Sequence, residues 1–181
     1  MITPLLRALT VAALALLAAL PALDRARAIE IDVTEGTLDP LPIAIAGFQG
    51  DLDLAAPVVE VIENNLRRSG LFRPLDRASF LQNDATVSAS PRFADWRAIG
   101  AQALAVGSVA RQADGQVRAE FRLWDPVSQT QLAGQQFFTT PDNWRRIAHI
   151  ISDAIYAQMT GESGYFDTRI VFIDESGPKD A

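Results

Sequence analysis

The feature that most constrains the fold is a run of three consecutive strand patterns in the second half of the chain. Residues 103–110 are almost wholly apolar, which is typical of a central strand covered on both faces. The dipeptide Asp114-Gly115 follows and favours the tight turn of a β-hairpin. Apolar and charged residues then alternate over residues 117–123, so this strand buries one face only. With a third strand at residues 132–139, the pattern predicts an antiparallel meander.

A first amphipathic helix is indicated ahead of the meander. Val58, Ile62 and Leu66 recur at three-to-four spacing and form one apolar face. Because the first position of a helix needs no amide hydrogen, we predict that this helix begins at Pro57. Gly70 is predicted to mark its end.

A second amphipathic helix follows the meander. Thr140 offers a capping hydroxyl and Pro141 suits the first helical turn. Gly161 is the predicted C-cap. The residues of the predicted apolar face are Trp144, Ile147, Ile151, Ile155 and Met159.

Shorter strand patterns complete the fold prediction. Residues 41–48 and 71–75 flank the first helix, and residues 165–173 follow the second. We therefore predict an α/β domain of the α+β kind, in which helices pack on a mixed sheet. The chain contains no cysteine, which excludes disulfides, thiolate metal sites and cysteine nucleophiles.

The amino terminus has the parts of a secretory signal peptide. Arg7 supplies a positive charge, residues 8–23 are almost continuously apolar, and Ala26 and Ala28 are the small residues of a cleavage site. The apolar run is shorter than the roughly 20 residues of a membrane span, so we favour cleavage after Ala28 over a retained anchor. We expect an exported protein that is not inserted in the membrane after cleavage. The formal net charge of −6 makes nucleic acid an unlikely partner.

The segment directly after the cleavage site is a short amphipathic strand. Ile29, Ile31 and Val33 alternate with Glu30 and Asp32. A new chain terminus can pair its free backbone groups with the sheet of another protein. The same pattern also fits an ordinary edge strand of this domain, and we keep both interpretations open.

The best candidates for catalysis in the sequence are weak. His149 is the only histidine and could act as a general base, with Asp153 one helical turn later to orient its ring. One histidine without cysteine makes no recognisable metal cluster, and no serine lies in a Gly-x-Ser-x-Gly elbow. We therefore predict a structural or interface role for His149, with no catalytic residue and no metal site.

Two other groups of side chains could contact a partner. Arg67, Arg68, Arg73 and Arg77 form a small basic patch, which we interpret as a solvated surface first and as a docking surface second. Trp124, at the end of a predicted strand, is the tryptophan whose ring we consider a possible binding anchor.

Residues 65–77, with the sequence Asn-Leu-Arg-Arg-Ser-Gly-Leu-Phe-Arg-Pro-Leu-Asp-Arg, closely resemble the N-terminal domain of the TolB family. TolB is a periplasmic component of the Tol-Pal envelope system. Further matches follow in the same order at residues 96–100, 103–109, 148–149, Asp153, 160–162 and 166–170. The resemblance spans the chain from residue 29 onward, and its ordered motifs make it more specific than any single pattern.

The resemblance implies a mixed α/β domain similar to the anticodon-binding fold but not used for RNA, with no enzymatic activity and no cofactor. In the family this domain is joined to a C-terminal β-propeller. The implied division is a signal peptide at 1–28, the α/β domain at 29–164 and the first propeller strand within 165–181. On this interpretation the chain is a fragment, a split gene product or a truncated form.

The resemblance also implies partners. The inner-membrane protein TolA contacts the segment after the signal peptide, which corresponds to Ile29–Val33. The lipoprotein Pal and certain bacteriocin peptides bind the propeller. The implied role is to link inner- and outer-membrane proteins, which supports outer-membrane integrity and invagination during cell division. The alternatives are a periplasmic small-ligand-binding domain, for which the sequence displays no pocket, and a hydrolase that uses His149.

Overall fold

The computed structural model describes residues 39–168 of the 181-residue chain. The predicted signal peptide with Ala26 and Ala28, the predicted strand at 29–33 and the chain from residue 169 onward lie outside the described residues. The strands are β1 Leu41–Ile45, β2 Gln49–Gly50, β3 Phe72–Pro74, β4 Ala103–Arg111, β5 Val117–Asp125 and β6 Thr130–Thr139. The α-helices are α1 Leu52–Arg68, α2 Asp84–Val87, α3 Phe93–Ala98 and α4 Trp144–Thr160, and short 3-10 helices cover Arg77–Ser79 and Pro141–Asn143.

All the described strands belong to one mixed sheet. Its order is β3-β1-β4-β5-β6, and the two-residue strand β2 pairs with β4. Strands β3 and β4 both run parallel to β1, whereas β4, β5 and β6 form antiparallel pairs. The predicted fold class and the predicted meander are therefore confirmed. A register shift at Leu123/Trp124 adds a bulge to the pairing of β5 with β6.

The sheet is covered on both faces at β1 and β4. On one face, Ile43 and Ile45 of β1 pack into a core that includes the apolar sides of α1 and α4. On the other face, Ala44 and Ala46 contact a smaller core around Trp96 of α3 and Val87 of α2. Because successive side chains of a strand point to opposite faces, a strand that is covered twice must be apolar throughout, as β1 and β4 are. The apolar stripes predicted for the two long helices are confirmed at Ile62, Leu66, Ile151 and Ile155, which are fully buried.

The first long helix begins earlier than predicted. It starts at Leu52 rather than at Pro57, because Asp51 caps it: the Asp51 carboxylate accepts a hydrogen bond from the amide of Asp53. Pro57 lies inside the helix and lacks the amide hydrogen that would bond to the carbonyl of Asp53. The hydrogen bond at Asp51 stabilises the helical turn that precedes Pro57 and so compensates for this missing bond.

Two further boundaries differ from the prediction. The Thr140-Pro141 start opens a 3-10 turn, and the α-helix begins only at Trp144, with no side-chain cap from Thr140. Residues 165–168, predicted as the start of a strand, are not in a strand, and residues 169–173 lie outside the described part. The predicted end of α4 is confirmed, because Gly161 adopts a left-handed conformation with φ of 78°.

The two ends of α1 allow a matched test of the helix packing. Leu66 is 0% exposed and Leu52 is 75% exposed, although both belong to the same helix. We predict that Leu66→Ala lowers the free energy of unfolding by about 2–5 kcal/mol, because it removes buried methyl groups and leaves a cavity. Leu52→Ala should change it by less than about 0.5 kcal/mol, as for other surface substitutions. Urea unfolding followed by circular dichroism measures both values, and equal losses would contradict this packing.

Candidate functional site

A buried polar contact between the two long helices is centred on the side-chain amide of Asn65. This amide lies between α1 and α4 and is only 1% exposed. Its nitrogen donates to the hydroxyl of Ser152 at 3.0 Å and to Nδ1 of His149 at 2.9 Å. Its oxygen accepts a hydrogen bond from the guanidinium of Arg68 at 2.7 Å. Because both amide hydrogens and the carbonyl oxygen have partners, this buried amide joins the two helices without an unsatisfied group.

This contact indicates which ring nitrogen of His149 carries the hydrogen. The amide of Asn65 donates to Nδ1, so the neutral ring carries its hydrogen on Nε2. Burial is the largest cause that lowers the pKa of His149 below its usual value, and Arg145 and Arg68 lower it further. Asp167 and Asp153 act in the opposite direction without reversing the shift. The ring is therefore a neutral hydrogen-bond acceptor at neutral pH.

Asp153 does not orient the ring of His149 as the sequence suggested. Its two carboxylate oxygens accept hydrogen bonds from the amides of Phe166 at 2.7 Å and Asp167 at 2.9 Å. The suggested histidine–carboxylate pair is therefore wrong. Asp153 instead holds the chain that follows α4, residues 164–168, which we name the exit segment.

Three further contacts hold the exit segment against α4. Gly164 passes so close that an added Cβ would lie 2.3 Å from Oδ1 of Asp153. Arg146 pairs with the carboxylate of Asp167 at 3.1 Å. The rings of Tyr165 and Phe166 pack edge-on against Tyr156, with centroid distances of 5.5 and 5.9 Å. The direction in which the chain leaves the domain is therefore determined by side chains of α4.

This polar junction is not built for hydrolysis. The hydroxyl of Ser152, which is bonded to Asn65, is 0% exposed and donates to the carbonyl of Ala148 at 2.8 Å. It therefore has neither a path to a substrate nor a free base. Among residues 39–168, no group of three or more His, Asp or Glu side chains could hold a metal ion. A shallow cavity of about 300 Å³ lies beside Asn65 and Arg68, under the exit segment.

The other residues singled out from the sequence are dispersed. Arg77 pairs with Asp84, Arg68 with Asn65, and Arg67 with the side chain of Asn64, so the predicted basic patch is divided among local contacts. Trp124 is half-buried against Phe93, with ring centroids 5.5 Å apart. The Trp124 indole nitrogen is buried and has no hydrogen-bond partner among the described residues. The ring of Trp124 is therefore engaged in packing within the domain.

Sequence reasoning missed Asn65, although a signal was present. Asn65 follows Val58 by seven positions and therefore lies in the apolar stripe of the helix. A polar residue in such a stripe is buried and needs hydrogen-bond partners. The pattern alone could not tell which side chains of α4 would supply them.

Comparison with known proteins gives a consistent family match. The family model for the TolB amino-terminal domain matches residues 29–132. The solved structure of TolB from Acinetobacter baumannii is 26% identical, with a TM-score of 0.62, over 75% of this chain and 32% of that protein. This chain thus spans about a third of the length of that relative.

Other solved structures show a weaker likeness. The LpoB C-terminal domain from Salmonella enterica has 13% identity and a TM-score of 0.45, over 59% of this chain and 87% of that one. Lipoprotein GNA1162 from Neisseria meningitidis has 16% identity and a TM-score of 0.46, over 66% and 96% respectively.

The hold of Asp153 on the exit segment can be tested by amide exchange. We predict that Asp153→Ala speeds exchange of the Phe166 and Asp167 amides by roughly tenfold or more, because each loses a charge-assisted hydrogen bond. Asp142→Ala, which removes an exposed carboxylate elsewhere, should leave these two amides unchanged. Hydrogen exchange followed by NMR provides the measurement, and unchanged rates in Asp153→Ala would contradict the contact.

The neutral state of His149 predicts a pH dependence of stability. The pKa of His149 is lowered in the folded protein, so the unfolded chain binds the proton more readily. This contribution is fully present above the unfolded value of about 6.5 and is lost as the pH falls below it. The urea midpoint of the native protein should therefore fall more between about pH 7.5 and pH 5.5 than that of His149→Gln. Parallel midpoints for the two proteins would contradict a neutral, amide-bonded ring.

Proposed function

This chain belongs to the TolB amino-terminal domain family, and from that membership we propose that it is a non-enzymatic periplasmic component of the Tol-Pal system. Its role is to connect envelope proteins by protein–protein interaction. The observation that carries the proposal is the family match, which begins at residue 29. That residue directly follows the cleavage site expected after Ala28.

The described domain has the properties of a scaffold. Its helices and sheet enclose two apolar cores, and the side chains of Asn65 and Asp153 hold α1, α4 and the exit segment together. His149, Asp153 and Ser152 are each engaged in these contacts and leave no set of groups arranged for catalysis. No helix within residues 39–168 has the length and hydropathy needed to cross a membrane.

The partner-binding element in this proposal is the strand Ile29, Glu30, Ile31, Asp32 and Val33. It adds to the sheet of a TolA-like inner-membrane protein. Main-chain hydrogen bonds supply affinity in such strand addition, and alternate side chains supply specificity. Ile29, Ile31 and Val33 therefore contact the partner, whereas the two acidic residues remain near water.

The wider role follows the family. A Pal-like lipoprotein and bacteriocin peptides would bind a β-propeller that follows this domain, and the exit segment would position it. The complete assembly would link the two membranes and support envelope integrity during division.

Deletion tests the proposed element directly. We predict that removal of residues 29–33 abolishes capture by the immobilised periplasmic region of a TolA-like protein, because the strand supplies the paired backbone. The circular dichroism spectrum and the thermal midpoint of the domain should stay nearly unchanged, since the described core begins at β1. Capture that survives the deletion would contradict the assignment.

A matched pair of variants distinguishes strand addition from charge attraction. Ile29→Ser/Ile31→Ser/Val33→Ser changes the apolar face, and Glu30→Ser/Asp32→Ser changes the acidic face of the same strand. Capture should weaken by roughly a hundredfold in the first and less than tenfold in the second, because buried apolar side chains contribute more than exposed charges.

A further inference from the structure

A groove with an apolar floor lies at the carboxyl ends of the parallel strands β1 and β3. Its volume is about 350 Å³. The chain leaving β1 contributes Gly47 and Phe48, and the chain leaving β3 contributes Arg77 and Asp84. One side of α1 forms the remaining wall. This groove lies apart from the junction at Asn65.

The topology of the sheet explains why a groove forms here. After β1 the chain enters α1, which packs on one face of the sheet, as the core around Ile43 and Ile45 shows. After β3 it continues to α2 and α3, which pack on the opposite face with Trp96. When neighbouring parallel strands send their connections to opposite faces, a crevice opens between them, and such crevices are the usual ligand sites of open sheets.

Hydrogen bonds and an ion pair join the chain after β1 to the chain after β3, and these two connections form one wall of the groove. Asp84 accepts a hydrogen bond from the amide of Gly47 at 2.7 Å and pairs with Arg77 at 2.5 Å. Gln49 donates to the carbonyl of Asp84 at 2.6 Å. An added Cβ at Gly47 would lie against the carboxylate of Asp84, so a larger residue there would displace this side chain. The groove is therefore part of the fold rather than a gap between side chains.

The start of α1 is unsuited to an anion, unlike the phosphate sites of related topologies. The carboxylate of Asp51 already accepts the amide of Asp53 and pairs with Nε of Arg111 at 2.6 Å. These contacts occupy the donors and the positive charge that would attract an anion to a helix N-terminus.

The charge of the groove favours a cation. Glu60, Glu63 and Asp84 line it, and Arg77 is the positively charged residue among its lining side chains. Arg77 is paired with Asp84, whereas Glu60 and Glu63 form no ion pair with any residue in 39–168. Burial raises the pKa of Glu63 above its usual value despite the opposing effect of Arg77 and Arg67. A bound cation would compensate for this loss of hydration.

The apolar part of the groove favours a peptide over a small diamine. Phe48, Ala55 and Val59 form a buried floor, and Leu52 at the mouth is 75% exposed. Contact with a second apolar side chain would remove the exposed surface of Leu52 from water, which is favourable. A free diamine has no such group, whereas a protein segment can carry both an apolar and a basic side chain.

We propose that this groove binds an extended segment of a partner protein in which a lysine or arginine and an apolar residue are four positions apart. Leu52 and Glu60 are separated by about 12 Å along α1, at 1.5 Å per helical residue. Four residues of an extended peptide span about 13 Å and place both side chains on one side. The basic side chain pairs with Glu60 and Glu63, and the apolar one covers Leu52. This site is additional to the strand at 29–33 and does not depend on it.

The test uses the exported chain, labelled with ¹⁵N, and two synthetic probes. The probes are acetyl-Leu-Ser-Gly-Ser-Arg-amide and its reverse order, since the direction of the segment is open. One of them should shift the amide signals of Gly47, Leu52 and Ala56 with a dissociation constant of about 0.1–1 mM, typical of a short peptide with few contacts. A probe with glutamate in place of arginine should cause no such shifts.

Variants of the lining residues test whether the peptide probe binds in the groove. Glu60→Gln/Glu63→Gln should weaken binding by about tenfold, since it removes both charged acceptors. Leu52→Ser should weaken it by about fivefold through the lost apolar contact. The control Asp142→Asn/Glu162→Gln removes two exposed negative charges outside the groove and should bind like the native chain.

Several outcomes would overturn the proposal. The first is the absence of amide shifts at the groove with about 5 mM of either probe. The second is a loss of affinity in the control variant equal to that in Glu60→Gln/Glu63→Gln. The third is binding of cadaverine as tight as that of the peptide probe. The last result would assign the groove to free diamines instead of a peptide. Because the probes do not involve residues 29–33, failure here leaves the TolA-like interaction untouched, and failure of that interaction leaves the groove intact.

Discussion

The rest of the described structure depends on the contact between α1 and α4 at Asn65. A buried amide is tolerated only when its hydrogen-bonding groups are satisfied, and here the partners come from both helices. This requirement fixes the register of α1 against α4. The same stretch of α4 carries Asp153, which holds the exit segment. The Asn65 contact therefore aligns the two helices, and Asp153 on the same helix positions the exit segment.

The mixed sheet determines the rest of the architecture, which includes both apolar cores and the groove. Strands β1 and β4 are covered on both faces and contribute side chains to both apolar cores, on which a chain without cysteine depends for its stability. The connections of β1 and β3 diverge to opposite faces and leave the groove beside α1. Stable packing and the two proposed docking elements thus occupy different parts of the chain: the strand at 29–33 precedes the sheet, and the groove lies at its carboxyl edge.

Much of the fold could be predicted from the sequence because its periodicities are regular. The meander, the apolar faces of α1 and α4 and the end of α4 at Gly161 agree with the structure. The start of α1 could not be predicted from Pro57, because the aspartate cap at Asp51 outweighs one missing hydrogen bond. The roles of Asn65 and Asp153 depend on side chains brought together by folding, which spacing along the chain does not reveal. The groove forms because the connections after β1 and β3 pack on opposite faces of the sheet. The sequence pattern does not reveal those faces.

The central claim is that the domain keeps its fold while the strand Ile29–Val33 pairs with a TolA-like partner. Hydrogen exchange of the chain from residue 29 onward, measured with and without the periplasmic region of that partner, tests it most directly. The account predicts new protection of alternate amides within residues 29–33 and unchanged exchange throughout β1 to β6. Exchange at residues 29–33 that is identical in both samples, with new protection along β6 instead, would contradict it.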